Sequence, residues 1–511
     1  MSPQHQGWGI LDAGDAGDAG DDWKEIKQPG VAMETTRPKS DWRPISSQPA
    51  KHYLRRVRSL IFPKPRPPEK LRRTAYLDGL RGFAAFLVYW HHHELWAHES
   101  NGTTAIFDNG FGRDGRRFLC ALPGVRTLFT GGHFAVAVFF VISGYVLSAK
   151  PLGFMHDGRQ GLLGDNLASA LFRRWLRLYI PLVCTTFLYM LSWHALGRPL
   201  RVQGAEPQGG LRDEVWNWYA EFKNFSFVFT TGGKPWFSYN FHTWSIPVEM
   251  KGSIVVYTAL QALSRVTTSA RLACTAALAF YFLYIADGWY GAAFLAGMLL
   301  CDLDLLSARG ELPGPLARPL SRLGEPQRRF LCYHLLAAGM YLGGVPAATL
   351  DVADLGKNRG WYYLSLLKPQ AVFDYKWFYL LWAAVLVVAA VPRIAPARRF
   401  FESRFCQHLG RVSYALYLVH GPVLWLLGDR VYAAVGWHRE WHAENIPGWI
   451  DWLRLPAAGP LGLEFSFLAP HVVLLPLTLW LAEVGTRVFD EPAVRFASWL
   501  YGKMLPQPGK M

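Results

Sequence analysis

Cysteine and charge are both scarce in this chain. Six cysteines stand among 511 residues, at Cys120, Cys184, Cys274, Cys301, Cys332 and Cys406, and no two form a C-x-x-C pair. That spacing argues against a disulfide framework or a zinc ribbon, and the thiols read as small buried apolar residues. Charged residues make up 18% of the chain, below the roughly 25% of ordinary soluble domains. There is no G-x-S-x-G elbow, no Walker loop and no H-E-x-x-H, which removes the serine-hydrolase, P-loop and zincin classes. The chain opens without the pattern of a secretory signal. Basic residues outnumber acidic ones, for a net charge of +15. They lie beside apolar segments, in no single patch or nucleic-acid motif. An anionic membrane surface explains them better than DNA or RNA.

What is abundant is apolar and aromatic. Hydrophobic residues make up 51% of the chain and aromatics 15%, including 22 Trp and 22 Tyr, as suits aromatic belts at two membrane interfaces. Mean hydropathy is only +0.09, because polar loops and a polar N-terminal tail dilute the apolar runs. Ten segments have the length and apolarity of membrane helices, near 79–97, 131–149, 175–195, 245–263, 271–286, 288–306, 330–345, 375–391, 411–428 and 468–489. The expected fold is therefore an all-α integral membrane protein, a bundle of about ten transmembrane helices. Residues 1–73 read as a disordered polar and basic tail carrying the repeat DAGDAGDAGDD. Residues 74–490 form the membrane domain and 491–511 a short tail. The outer loops at 196–243 and 429–467 are too short for separate domains.

Orientation follows from charge. With the N-terminus cytoplasmic, the basic tail, Lys150, Arg159, Arg265, Arg271 and the arginine-rich segments 309–329 and 393–411 all fall inside. The two N-x-[ST] sequons, at Asn101 and Asn224, then fall outside. Both termini are expected to be cytoplasmic. The sequons point to a multi-pass protein of the endomembranes or plasma membrane.

The segment D-G-L-R-G-F-A-A-F-L-V-Y-W-H-H-H, residues 78–93, is an apolar helix with an arginine at one end and histidines inside it. Arg81 and His92 are eleven steps apart, which is roughly 20° past three full turns. They share a face, about 16 Å apart along the axis, with Asp78 within about 60° of it. His91 and His93 point away. The tract HHHE at 91–94 resembles a metal tract, but consecutive helical residues face different sides and cannot readily bind one ion, so no metal is expected. Ionisable groups inside a membrane helix are costly and mark a functional site by default.

These residues resemble the membrane acyltransferase 3 family. D-G-L-R at 78–81 followed by His92 is similar to the family's D-G-x-R opening, with ten residues between Arg and His. F-F-V-I-S-G-Y-V-L-S at 139–148 is similar to its second helix, where Gly144 reads as a close helix contact. F-R-R-W-L-R-L-Y-I-P at 172–181 resembles the start of its third. H-T-W-S-I-P-V-E at 242–249 resembles its W-S-L-x-V-E segment, and V-S-Y-A-L-Y-L-V-H-G-P at 412–422 its ninth helix. The match departs after Glu249: many members carry a second carboxylate where this chain continues Met250-Lys251.

The resemblance implies a membrane enzyme moving an acyl group, commonly acetyl, from acyl-CoA to a hydroxyl of a sugar, lipid or small natural product. His92 is then a general base or a transient acyl carrier. Asp78 and Arg81 pair, turning Arg81 toward the thioester or its phosphates. Glu249 orients His92 or binds the acceptor. Arg173, Arg174 and Arg177 suit the coenzyme A phosphates, and His242, Trp244, Lys251 and His420 line the substrate site. The alternative from another class is a secondary transporter or proton-coupled carrier, which ten helices with intramembrane His, Glu and Lys also fit.

Overall fold

The computed structural model describes residues 71–99, 107, 117–195, 207–229, 235–347 and 349–506. The tail up to residue 70 and the sequon at Asn101 lie outside the described residues. Among the described residues the regular structure is all helical. Each of the ten expected segments falls in a helix: α1 (Ala75–His98), α2 (Gly132–His156), α3 (Gln160–Ala195), α4 (Ser245–Ala262), α5 (Thr268–Tyr284), α6 (Trp289–Arg309), α7 (Glu325–Gly343), α8 (Lys376–Ala390), α9 (Arg404–Val423) and α10 (His471–Gly485).

Among the described residues, five helices are long and apolar enough to cross a membrane by length and composition. They are α2, α3, α6, α8 with its short 3-10 extension, and the helical run Phe465–Met504 that contains α10. α1, α4, α5, α7 and α9 fall outside this group; among them α1, α4 and α9 carry His92, Glu249 and His420.

Local signals explain the helix ends. Ser403 caps α9 by accepting from the Cys406 amide at 3.4 Å, and Thr267 caps α5 in the same way. The tight connection between α5 and α6 runs through Asp287 at φ 45°, a left-handed conformation that a short polar side chain tolerates.

Two glycine contacts set how closely the helices approach. A Cβ on Gly82 of α1 would lie 2.2 Å from the Gly410 amide nitrogen of α9, and a Cβ on Gly410 would lie 2.3 Å from the Asp78 carbonyl oxygen. On the other side of the bundle, a Cβ on Gly144 of α2 would meet the Phe294 carbonyl oxygen of α6 at 2.0 Å. Small residues at such crossings bring backbones into contact, the usual basis of helix association in lipid.

The structure changes three expectations. α3 begins at Gln160, fifteen residues before the expected span, and its 36 residues extend about 54 Å. Arg173, Arg174 and Arg177 therefore sit within a continuous helix. Residues 491–511 are not simply a tail, because Glu491–Met504 is a helix. It lies along α3, with Arg173 Nη1 donating to Ser498 Oγ at 3.2 Å and Phe172 against Tyr501. Four of the six cysteines are buried as expected, but Cys274 is exposed and Cys184 partly so.

Candidate active site

α1 and α9 lie in contact at two levels. At the first, Arg81 Nη2 donates to the Gly410 carbonyl at 3.1 Å and pairs with Asp78 at 3.2 Å. Eleven residues further along α1 and ten along α9, His92 Nδ1 meets His420 Nε2 at 3.0 Å. The two helices thus run in the same direction, and the face shared by Arg81 and His92 is the face turned to α9.

The partners fix which nitrogen carries each proton. His420 Nδ1 faces the Leu416 carbonyl oxygen at 3.2 Å. A carbonyl only accepts, so His420 Nδ1 carries the hydrogen. In the neutral ring Nε2 is then an acceptor, and His92 must donate to it from Nδ1. The Nε2 of His92 is left with its lone pair. His420 is almost fully buried, at 1% exposure, while His92 keeps some accessible surface. The more accessible ring is therefore the one whose second nitrogen is left with a lone pair.

His242 completes the group. Its ring stacks on His92, with centroids 3.6 Å apart and planes 15° from parallel. It sits in a kinked 3-10 segment, Ser238–Trp244, ahead of α4. Asn240 Nδ2 ties that segment to the Leu418 carbonyl of α9 at 2.9 Å. The Tyr417 hydroxyl donates to the His242 carbonyl and meets Ser245 Oγ at 2.8 Å. Gly421 leaves room for the ring, since a Cβ there would lie 2.9 Å from His242 Nδ1.

Ring nitrogens of the three histidines lie within 4.8 Å of one another, near enough to suggest a metal site. Ring orientation opposes it. The planes are only 9–21° apart in every pair. An imidazole binds a metal along its in-plane lone pair, and near-parallel stacked rings do not aim those lone pairs at a common point. The arrangement suits proton transfer along a hydrogen bond.

The carboxylate of Glu249 lies in a separate network. Arg174 Nη2 donates to Glu249 Oε1 at 2.5 Å, and Ser143 Oγ donates to the same oxygen at 2.7 Å. Arg174 Nε also reaches Ser253 Oγ at 2.9 Å. Three helices, α2, α3 and α4, are joined at this point.

A family model described as an acyltransferase domain matches residues 74–469. The chain belongs to the acyltransferase 3 family. It is 29% identical over 489 residues to a protein named O-acetyltransferase PaAT-1 of Phomopsis amygdali, covering 87% of this chain and 88% of that one. It is 25% identical over 498 residues to acyltransferase clz18 of Cochliobolus lunatus, covering 86% and 97%. A third relative, acyltransferase R4 of a Phoma species, is 24% identical over 86% of this chain and 97% of its own. No solved structure matches the chain. The protein is a membrane acyltransferase.

Within this acyltransferase the structure brings together His92, His242 and His420, and pairs Asp78 with Arg81. It does not bring Glu249 to His92: the carboxylate is held by Arg174 and Ser143, while Ser253 Oγ donates to the Glu249 main-chain carbonyl. Arg174, expected to face coenzyme A phosphates, is likewise committed to Glu249. Arg173 reaches Ser498, and Arg177 lies within electrostatic range of Asp490, as does Arg81. The Trp244 ring meets Trp377 of α8 edge-on at 5.6 Å. Lys251 is partly buried, about 200° around α4 from Glu249. Sequence reasoning missed Tyr417, Asn240, Ser253 and Asp490. Ser253 had a legible signal, lying one turn after Glu249 on the same face.

Proposed function

We propose that this enzyme spans the membrane ten times with both termini cytoplasmic. It moves an acyl group, acetyl in the first instance, from acyl-CoA to a hydroxyl on a small acceptor. The name of the O-acetyltransferase relative supports the acetyl group and the oxygen acceptor. One observation carries the mechanism: the chain from the Leu416 carbonyl through His420 to His92, which leaves His92 Nε2 as a free base.

The steps follow from that base. The acceptor hydroxyl donates to His92 Nε2. Its oxygen attacks the thioester carbonyl carbon as the proton moves to the imidazole. The new C–O bond forms, the C–S bond breaks, and the imidazolium returns the proton to the leaving thiolate. His420 positions His92, and His242 packs its ring in place. Arg81 lies about 16 Å along α1 from His92, a span suited to the pantetheine arm. Arg81, Arg173 and Arg177 then serve the phosphate end of the donor at the cytoplasmic side. Arg174 and Glu249 brace α2, α3 and α4 around the path.

The test is release of coenzyme A from radiolabelled acetyl-CoA by the purified protein, with a crude membrane extract as the acceptor pool. Wild type releases coenzyme A and labels an extract component. His92→Ala does neither while still binding acetyl-CoA. Normal turnover by His92→Ala would overturn the mechanism.

A further inference from the structure

His91 precedes the reactive histidine and turns to the other side of α1. Its ring lies edge-on to that of His133 in the first turn of α2, centroids 5.5 Å apart. Gly132 makes the room, because a Cβ there would fall 2.5 Å from the His91 ring. Beyond these rings is a pocket lined by His91, His133, Arg126 and Lys376, with Phe134 and Leu380 among its apolar walls. Every titratable side chain lining it is a base, and no carboxylate is among its described lining residues.

The bases are deeply placed. His91, Arg126 and Lys376 are 5%, 4% and 8% exposed. Lys376 Nζ pairs with Asp374 at 2.9 Å, and Arg126 donates to the Phe107 carbonyl. His91 Nδ1 is buried with no hydrogen-bond partner. A buried polar atom without a partner costs free energy, and it is the kind of group that a ligand satisfies. The pocket also adjoins the chemistry: the His91 and His92 rings lie edge-on with centroids 5.3 Å apart.

We infer that this pocket holds a carboxylate of the acceptor, so that the acyltransferase acts on a hydroxy acid. A guanidinium, an ammonium and an imidazole N–H offer charge-assisted hydrogen bonds to a carboxylate. With the carboxylate beside His91, the acceptor's hydroxyl falls one ring away, at His92. Phe134 and Leu380 offer apolar walls to the carbon that carries the carboxylate. The reaction leaves the carboxylate unchanged: the hydroxyl oxygen gains the acyl group, the thioester C–S bond breaks, and the hydroxyl proton leaves on the thiolate. The assignment rests on the acyl-transfer reading for its meaning, but the pocket can be tested without turnover.

The test is thermal stabilisation of the full-length protein in detergent by three probes of similar size: phenylacetate, methyl phenylacetate and phenyl phosphate. Phenylacetate is expected to raise Tm and the neutral ester to leave it unchanged. In Lys376→Gln the phenylacetate affinity should fall about tenfold, as for loss of one charge-assisted contact. Equal shifts from acid and ester, or undiminished binding by Lys376→Gln, would overturn the proposal. Stronger stabilisation by phenyl phosphate than by phenylacetate would also overturn it and assign the pocket to a phosphate monoester. If Lys376→Gln does not fold, the contrast of acid and ester on wild type decides alone. Because binding needs no acyl transfer, this result and the His92→Ala result fail independently.

Discussion

Three consecutive histidines serve three different surroundings. His91 faces His133, His92 faces His242 and His420, and His93 donates to or accepts from the Tyr432 hydroxyl at 2.7 Å. Their 100° steps around α1 make this unavoidable, and it is His92 that meets two further histidines. If His420 holds the His92 tautomer, its loss should lower kcat with little change in KM for acyl-CoA. His420→Phe is expected to cut kcat about 10- to 100-fold, the scale on which positioning partners act. His420→Gln, whose amide oxygen can accept from His92 Nδ1, should recover part of it. Equal losses in both variants would mean that His420 acts only through packing. Because the rings do not converge on an ion, dialysis against a chelator should leave the rate of coenzyme A release unchanged. Loss of activity restored by added zinc would contradict that reading. The Arg174–Glu249 pair is less than one-fifth exposed on both sides. Removing one partner strands a charge, at a cost of about 3–5 kcal/mol before allowing for its partial exposure. Glu249→Ala should therefore lower Tm more than the double variant Glu249→Ala/Arg174→Ala.

At the scale of elements, the site is a consequence of how α1 and α9 meet. Gly82 and Gly410 bring the backbones together at one level, and that approach sets His92 against His420 about three turns later. The glycine in D-G-L-R has its own contact, since a Cβ on Gly79 would overlap the Phe401 carbonyl oxygen at 1.8 Å. Gly82→Leu should separate the helices and abolish activity even if protein is still recovered. Gly164→Ala, in α3 with no atom within 4 Å of the added Cβ, should be neutral or stabilising by about 0.5–1 kcal/mol. Comparing Tm and coenzyme A release for the two variants checks the contrast. Two π-helical turns interrupt the regular helices near the site. Leu424–Gly428 follows His420 on α9, and Thr486–Asp490 leads to the Asp490 that lies in range of Arg81 and Arg177. Such turns recur at functional sites because they re-aim side chains within a helix.

For the whole molecule, the helices were legible and the crossings were not. Long apolar runs of helical length specify helices whatever their neighbours, so each expected segment falls in a helix, and five of the described helices are apolar enough to cross a membrane. The limits of α3 were misread because its first turns are polar, and polarity marks the edge of the lipid rather than the end of the helix. Topology has a direct test in Asn224, exposed near the end of the helix Leu211–Ser226. If the end of that helix faces the lumen, the protein should carry a glycan there, seen as a mobility shift that peptide N-glycosidase removes and Asn224→Gln lacks. An unmodified Asn224 in protein made by a eukaryotic secretory pathway would weaken the proposed orientation.

The sequence by itself determined that the chain is helical and rich in membrane-length segments. It also set Arg81 and His92 on one helix face, because helical period is a local property. Tertiary structure alone decided that His242 and His420 meet His92. The hydrogen bond between His92 and His420 links residues 328 positions apart, and nothing local specifies it. Only tertiary structure showed that Glu249 is held by Arg174 and that four bases from different segments line one pocket. Such contacts depend on how closely and at what angle helices cross, and those quantities are set by the packing of the whole bundle.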